Sequence, residues 1–264
     1  MVERRDGMEN YIFIIKMISY FIIYSFLGWV MESVLKTCVQ KRGVNSGFLH
    51  SPFCPIYGFG ALIMLLFLQR FKDNVIWLFI MGFFILSLWE YIVGWMLEII
   101  FKTKYWDYSQ NKFNIKGRVC LVNSLFWGFL GVIFIHYMHP YIGEKIDLIP
   151  QEILTFSVMI LSIGIIIDTI ISAIKVSKIH LKLEKLKEIT NNIKEKLEQL
   201  ETRQVNKENL QNAIEELKYR QTVLKRKLMK QTNHLKKAFP SIKSEAIEKI
   251  TEYLKDKIEN TKNK

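Results

Sequence analysis

Cysteine is scarce in this chain, three in 264 residues, and Cys38, Cys54 and Cys120 never form a Cys-x-x-Cys pair. The odd count and the spacing exclude a disulfide framework and a zinc knuckle and leave ordinary reduced thiols. No Gly-x-x-x-x-Gly-Lys-Ser/Thr loop occurs, so the polypeptide lacks its own backbone cradle and lysine for ATP phosphates. A nucleophile elbow, a His-Glu-x-x-His helix and a dinucleotide fingerprint are missing too. No catalytic residue, cofactor or metal is therefore assigned, and the chain reads as a non-enzyme. His136 and His139 are read as interfacial polarity at a helix end. Half of the residues are hydrophobic, yet long apolar runs cease after residue 175, so two materials are joined: a membrane domain and a polar tail.

Acidic balance is also missing from that tail. From residue 175 onward 23 Lys and Arg face 13 Asp and Glu, a net of +10, against 14 and 12 in everything before it. A basic segment tethered to a bilayer is drawn to anionic lipid by roughly 1 kcal/mol per Lys or Arg near the surface. Membrane lipid is thus an expected partner. Nucleic acid, the other acidic candidate, is not, because the tail has few aromatics on which bases could stack.

A bilayer span needs about 20 largely apolar residues, and the runs at 11–34, 75–101, 119–139 and 152–174 supply them. The first run lacks a small-residue cleavage site and reads as a retained span. A fifth candidate, Pro55 to Leu68, rises only about 21 Å as a helix, and Pro52 and Pro55 make its entrance irregular. A broken helix or dipping loop, buried against protein, is expected there. Five spans place the two ends on opposite sides. The Lys and Arg bias puts the tail and the loops after spans 1 and 3 in the cytoplasm, with the N-terminus outside.

The chain also says one thing twice. Gly28-Trp29-Val30-Met31-Glu32-Ser33-Val34-Leu35-Lys36-Thr37 returns 66 residues later as Gly94-Trp95-Met96-Leu97-Glu98-Ile99-Ile100-Phe101-Lys102-Thr103, and Asn45 and Cys54 match Asn111 and Cys120 at the same offset. This pattern predicts a direct repeat of membrane hairpins, about 11–70 and 75–139, with spans 1 and 3 running the same way. Facing halves create a site between them.

Glu32, Glu90, Glu98 and Asp168 lie inside or at the ends of apolar runs, where an ionised carboxylate costs at least about 2.5 kcal/mol at mid-membrane. They need partners or a cavity. Glu90 is the deepest of the three glutamates, two turns before Glu98 on the same face of span 3. A cation or proton path or a polar substrate pocket would use them; Glu32 and Glu98 could equally be satisfied by water and loop cations at the interface. Asp168, seven residues before Lys175, could reach the interface as well. Arg118, at the threshold of span 4, either grips an anionic head group bidentately or pairs with Glu98, Asp107 or Glu32 to lock the second loop. Tyr105, Trp106 and Tyr108 read as an interfacial belt. Glu32, Glu90, Glu98, Arg118 and Asp107 make the candidate polar lining, with Tyr57 and Trp106 shaping it.

Several motifs, namely Gly47-Phe48-Leu49-His50-Ser51-Pro52-Phe53-Cys54-Pro55-Ile56-Tyr57-Gly58, Glu90-Tyr91, Trp106-Asp107-Tyr108-Ser109, Asn114, Gly117-Arg118 and Trp127-Gly128, occur together. In this combination, over roughly residues 15–140, the chain resembles the bacterial membrane family labelled putative type IV ABC-transporter permease, or CmpB-like. The resemblance implies a multi-span protein of the bacterial inner membrane that would need a separate ATPase subunit. It supplies no substrate. The family's first loop usually reads Asn-Arg-Gly-Phe-Leu-x-Gly-Pro, whereas this chain has Ser46 for the arginine and Ser51 for the second glycine. Any role of that arginine toward an anion or a membrane glutamate falls here to Arg42 or is lost.

In the tail, Ile179, Leu186, Ile193, Leu200, Ile214, Leu228 and Leu235 keep one seven-residue frame, the mark of a coiled coil. Its partner positions change phase across Thr202 to Asn209, which means either a seam shift in one long helix or a hairpin. After Pro240, Ser241 can cap a short amphipathic helix. The expected fold is thus all-α: a transmembrane domain (1–174) of two repeated hairpins and a fifth span at 152–174, a cytoplasmic coiled coil (175–239) and a last helix (240–264). A transport-like function with a site between the hairpins is expected, with a homo-oligomer or a coiled-coil partner. A membrane scaffold or signalling protein acting through the tail, and an enzyme acting on lipid head groups, are the rival readings.

Overall fold

The computed structural model describes residues 2–41, 43–101 and 104–201, with scattered positions between 212 and 226. Among the described residues up to Glu201, five helical rods follow one another: α1 (Val2–Gln40), α2 (Pro55–Phe71), α3 (Val75–Phe101), α4 (Leu121–Asp147) and α5 (Gln151–Glu201). In the loop between α3 and α4 an isolated antiparallel bridge joins Ile115 and Val119. Glu9–Gln40 of α1, all of α3 and α4, and Gln151–Lys178 of α5 are long and apolar enough to cross a bilayer. The fifth candidate of the sequence is α2, whose rise of about 26 Å stays below a hydrocarbon core of about 30 Å.

The apolar run at 119–139 was expected to end near residue 139, but its helix passes through Pro140 to Asp147. Proline removes one donor and crowds the carbonyl four residues back. That carbonyl belongs to His136, inside a π turn at Phe134–Met138, where the wider helix relieves the clash. A second π turn, Met64–Leu68, lies in α2 and seats the fully buried Leu68 against Gly131 of α4.

Apolar faces do not drive helices together in lipid, so small residues and polar bonds must. Gly58 of α2 lies against Phe21 and Ser25 of α1, close enough that a Cβ would overlap the Ser25 hydroxyl. In the second pair Gly82 of α3 meets Gly128 and Gly131 of α4, and Ser87 Oγ donates to Ser124 Oγ at 2.7 Å. Phe21 and Ser87, like Gly58 and Ser124, are 66 residues apart. Antiparallel to α1, α4 is tied to it by the Lys16–Asp147 ion pair (2.7 Å) and by Tyr24 Oη and His139 Nδ1 at 3.0 Å. The core runs through Leu49, Leu68, Leu78, Leu86 and Phe134. Ile76, Phe84, Leu88, Phe156, Ile163 and Ile170 stay exposed on the outer faces, as side chains bathed in lipid would.

Both long loops gather at one end. Phe48 of the first loop (41–54) packs on Phe101, at the end of α3, and on Tyr105 of the second loop (102–120), with ring centroids 5.5 and 6.2 Å apart. α5 does not break where the composition changes at residue 175; it stays helical to Glu201. The phase change at Thr202 to Asn209 and the helix after Pro240 fall outside the described residues, as do the side chains of Ile179, Leu186, Ile193 and Leu200.

Candidate functional site

The first loop turns back along the last turns of α1. Val44 N–H donates to Thr37 Oγ1 (3.1 Å) and Ser46 N–H to Ser33 Oγ (3.1 Å). Gly47 takes φ +98°, with the Cys54 sulfur where a Cβ would stand. Descending in this way, the loop starts α2 beside α1, and Cys54 N–H donates to the Ser25 carbonyl at 2.9 Å. Glu32 is paired with Lys36, one turn on, at 2.7 Å, and the same ammonium donates to Ser46 Oγ at 2.9 Å. Ser46 stands where the resembled family has its arginine, so Lys36 supplies a cation there. Arg42, the residue expected to inherit the role, lies outside the described residues. The Cys54 thiol approaches Glu32 at 3.7 Å. Burial, then the charge of Glu32, pushes that thiol well above its ordinary range, which keeps it protonated and unreactive.

Glu90 sits at the junction of the two helix pairs and is only 5% exposed. Its carboxylate accepts from Trp127 Nε1 (2.9 Å), Tyr108 Oη (3.2 Å) and Asn123 Nδ2 (3.5 Å). Tyr108 reaches inward from the second loop, its N–H held by the Gly117 carbonyl at 2.8 Å. Burial, with the charge of Glu90 second, raises the Tyr108 phenol, so it stays a donor. Tyr57 of α2 completes the junction. Its ring lies 6.3 Å from that of Trp127, within electrostatic reach of Glu32, Cys54, Tyr108 and Glu90. Gly28 of α1 is what admits it, since a Cβ there would overlap the Tyr57 ring.

Arg118 resolves its alternatives in favour of Glu98: Nε and Nη2 both donate to Glu98 Oε2, at 3.0 and 2.7 Å. Nη1 donates to Tyr91 Oη at 3.1 Å, and the guanidinium lies 5.2 Å from that ring. Trp106 and Asp107 build the loop itself. The indole N–H of Trp106 donates to the Arg118 carbonyl at 2.9 Å and its ring packs over Gly94 of α3. Asp107 accepts from the Ser109 N–H (3.0 Å) and hydroxyl and packs against Gly117, whose φ of +70° closes the turn. The seven candidate residues thus divide. Glu90 and Tyr57 both border Trp127 at the junction, Glu32 pairs with Lys36 beside the first loop, Glu98 and Arg118 form a neighbouring pair, and Trp106 and Asp107 shape the second loop.

Asp168 does more than reach an interface. From α5 it accepts from the Ser51 N–H (2.8 Å), the Ser51 hydroxyl (2.5 Å) and the His50 N–H (3.3 Å). Lys175 donates to His50 Nε2 at 3.1 Å, which leaves the ring proton on Nδ1 to meet Ser172 Oγ at 2.9 Å. The first loop is thereby clamped to α5. Lys36, Asn123, Trp127, Ser51 and Ser172 are absent from the candidate site residues read from the sequence. Asn123 was nonetheless visible as an amide early in an apolar run, and Trp127 within a Trp-Gly motif.

The family model described as "Putative ABC-transporter type IV" matches residues 19–173. Neither the curated proteins nor the solved structures give a match.

Proposed function

Because the chain belongs to the family "Putative ABC-transporter type IV" and carries four helices able to span a bilayer, we propose that it is the membrane subunit of a transporter. In this reading it takes a small polar substrate between its two helix pairs and draws energy from a separate ATPase subunit. The observation that carries it is Glu90: a carboxylate deep among apolar helices, met by donors from the second loop and α4, one of which, Trp127, has Tyr57 of α2 beside its ring. The reading includes an ancestral duplication, favoured by the 66-residue spacing of both the signature and the helix contacts Phe21–Gly58 and Ser87–Ser124. The basic loops and tail support a reading in which the loop end and the C-terminus lie in the cytoplasm at a bacterial inner membrane, with α5 extending toward a coiled-coil partner or a second copy.

Purification of the intact protein in mild detergent, with mass spectrometry of what accompanies it, tests this. A stoichiometric nucleotide-binding subunit is the expected companion. A self-associated oligomer or soluble partner without such a subunit, lost when residues 176–264 are deleted, would overturn the transporter in favour of a scaffold.

A further inference from the structure

Of the three glutamates Glu32, Glu90 and Glu98 on α1 and α3, two are paired with cations among the described residues. Lys36 is engaged by Glu32 and Ser46, and Arg118 by Glu98 and Tyr91. Glu90, the most enclosed of the three, is met by neutral donors. A carboxylate offers about four lone-pair positions, of which Trp127, Tyr108 and Asn123 fill three. One acceptor position remains, and among the described residues no cation pairs with this carboxylate, in an environment where an unneutralised charge is costly.

We propose that Glu90 is the anionic anchor of a site for a small organic ammonium ion, with Trp127, Tyr57 and Tyr108 as its aromatic walls. The inference rests on the transporter reading and names the substrate class of that site. An inorganic divalent ion fits poorly, because Ca²⁺ asks for six to eight oxygens and Mg²⁺ for six, whereas Trp127 and Asn123 turn N–H groups to the junction. An ammonium ion needs one charged acceptor and aromatic faces, which attract it through the ring quadrupole. A carboxylate serving only to pin the second loop to α4 would need Tyr108, Asn123 and Trp127 alone. It would not need Tyr57, whose ring is brought against Trp127 by a glycine kept bare at position 28. The ammonium group could arrive on a soluble amine or on a lipid head group.

Titration calorimetry on the purified full-length protein in nanodiscs decides the matter, with choline and ethanolamine as probes, 3,3-dimethylbutan-1-ol as the uncharged isostere of choline, and sodium chloride as the inorganic control. Saturable binding of choline or ethanolamine is expected, with no response to the isostere, and Glu90→Gln should weaken it by about tenfold or more. If Glu90→Gln fails to give a monodisperse protein, Trp127→Phe, which keeps the carboxylate, should still weaken binding several-fold. Discs of phosphatidylglycerol and of phosphatidylcholine separate the sources: a soluble substrate binds equally in both, whereas a head-group site is competed in phosphatidylcholine. Wild-type protein that answers the probes no better than the isostere, or a folded Glu90→Gln protein that binds as wild type does, overturns the proposal. Absence of ammonium binding in a protein that still brings down a nucleotide-binding subunit removes this inference and leaves the transporter reading standing.

Discussion

Replacing Asp168 by Asn should release the first loop from α5 while leaving the helices packed. In the wild type one carboxylate oxygen takes the His50 N–H and the Ser172 hydroxyl, both at 3.3 Å, and the other takes the Ser51 N–H and hydroxyl at 2.8 and 2.5 Å. Asparagine keeps a single oxygen. If it faces Ser51, its NH2 meets the His50 N–H donor to donor; turned the other way, it meets the N–H of Ser51. An unmet N–H costs about 1–3 kcal/mol, and the surviving bonds lose the charge assistance that roughly doubles their strength. The local loss is therefore about 2–4 kcal/mol. Amide exchange of His50 and Ser51 reads it directly: a 2 kcal/mol loss speeds local opening about 30-fold. Exchange in the core, as at Leu78, should stay unchanged. His50 and Ser51 amides exchanging within about twofold of wild type would refute the clamp, and equal acceleration at Leu78 would show that the whole fold had loosened instead.

Four further outcomes are expected. Gly58→Ala and Gly128→Ala should each destabilise the protein by about 1–3 kcal/mol, since the new Cβ meets the Phe21 carbonyl at 2.6 Å and the Phe79 carbonyl at 3.0 Å. Gly82→Ala, whose nearest neighbours stand at 3.5 Å, should change detergent unfolding by less than about 0.5 kcal/mol. Arg118→Lys loses the paired bonds to Glu98 and should cost about 1–3 kcal/mol; a double-mutant cycle with Glu98→Gln checks it, and a coupling of zero would count against the pair. Maleimide should label the exposed Cys38 in native protein and reach the buried Cys54 and Cys120 only after unfolding. Cys54 and Tyr108 hold their protons more tightly folded than unfolded, so stability is complete below the ordinary thiol value of 9.0 and falls as pH rises above it. Melting temperatures that do not fall above pH 9 would contradict that burial.

The spans were legible because crossing a bilayer is a matter of length and composition, and α3 begins and ends where its apolar run does. Glu90 was legible for a similar reason: a carboxylate in such a run must find partners. Its donors were not, since Tyr108, Asn123 and Trp127 come from a loop and another helix, and periodicity reports only the faces of a single helix. Arg118 carried the same chemistry toward Glu98, Glu32 or Asp107, and the loop path alone decided among them. Trp106 and Asp107 show the converse, residues with the composition of a site whose polar atoms serve the loop. The continuation of α4 past Pro140 was hidden because a proline ends a helix only where no wider turn absorbs it, and a π turn is not visible in a sequence. The role of Lys36 was hidden because its second partner, Ser46, lies in the loop, and no pattern within one helix reports a contact with a returning loop.

The clamp on Asp168, Ser172 and Lys175 belongs to the same unbroken helix that ends at Glu201. From Asp168 to Glu201 that helix extends about 50 Å, so a tilt of about 5° at the clamp swings the far end by about 4 Å. Leverage works in both directions. A pull on the distal end reaches His50 and Ser51 magnified in force, and through the descending first loop it reaches Cys54 and the start of α2, the helix that carries Tyr57.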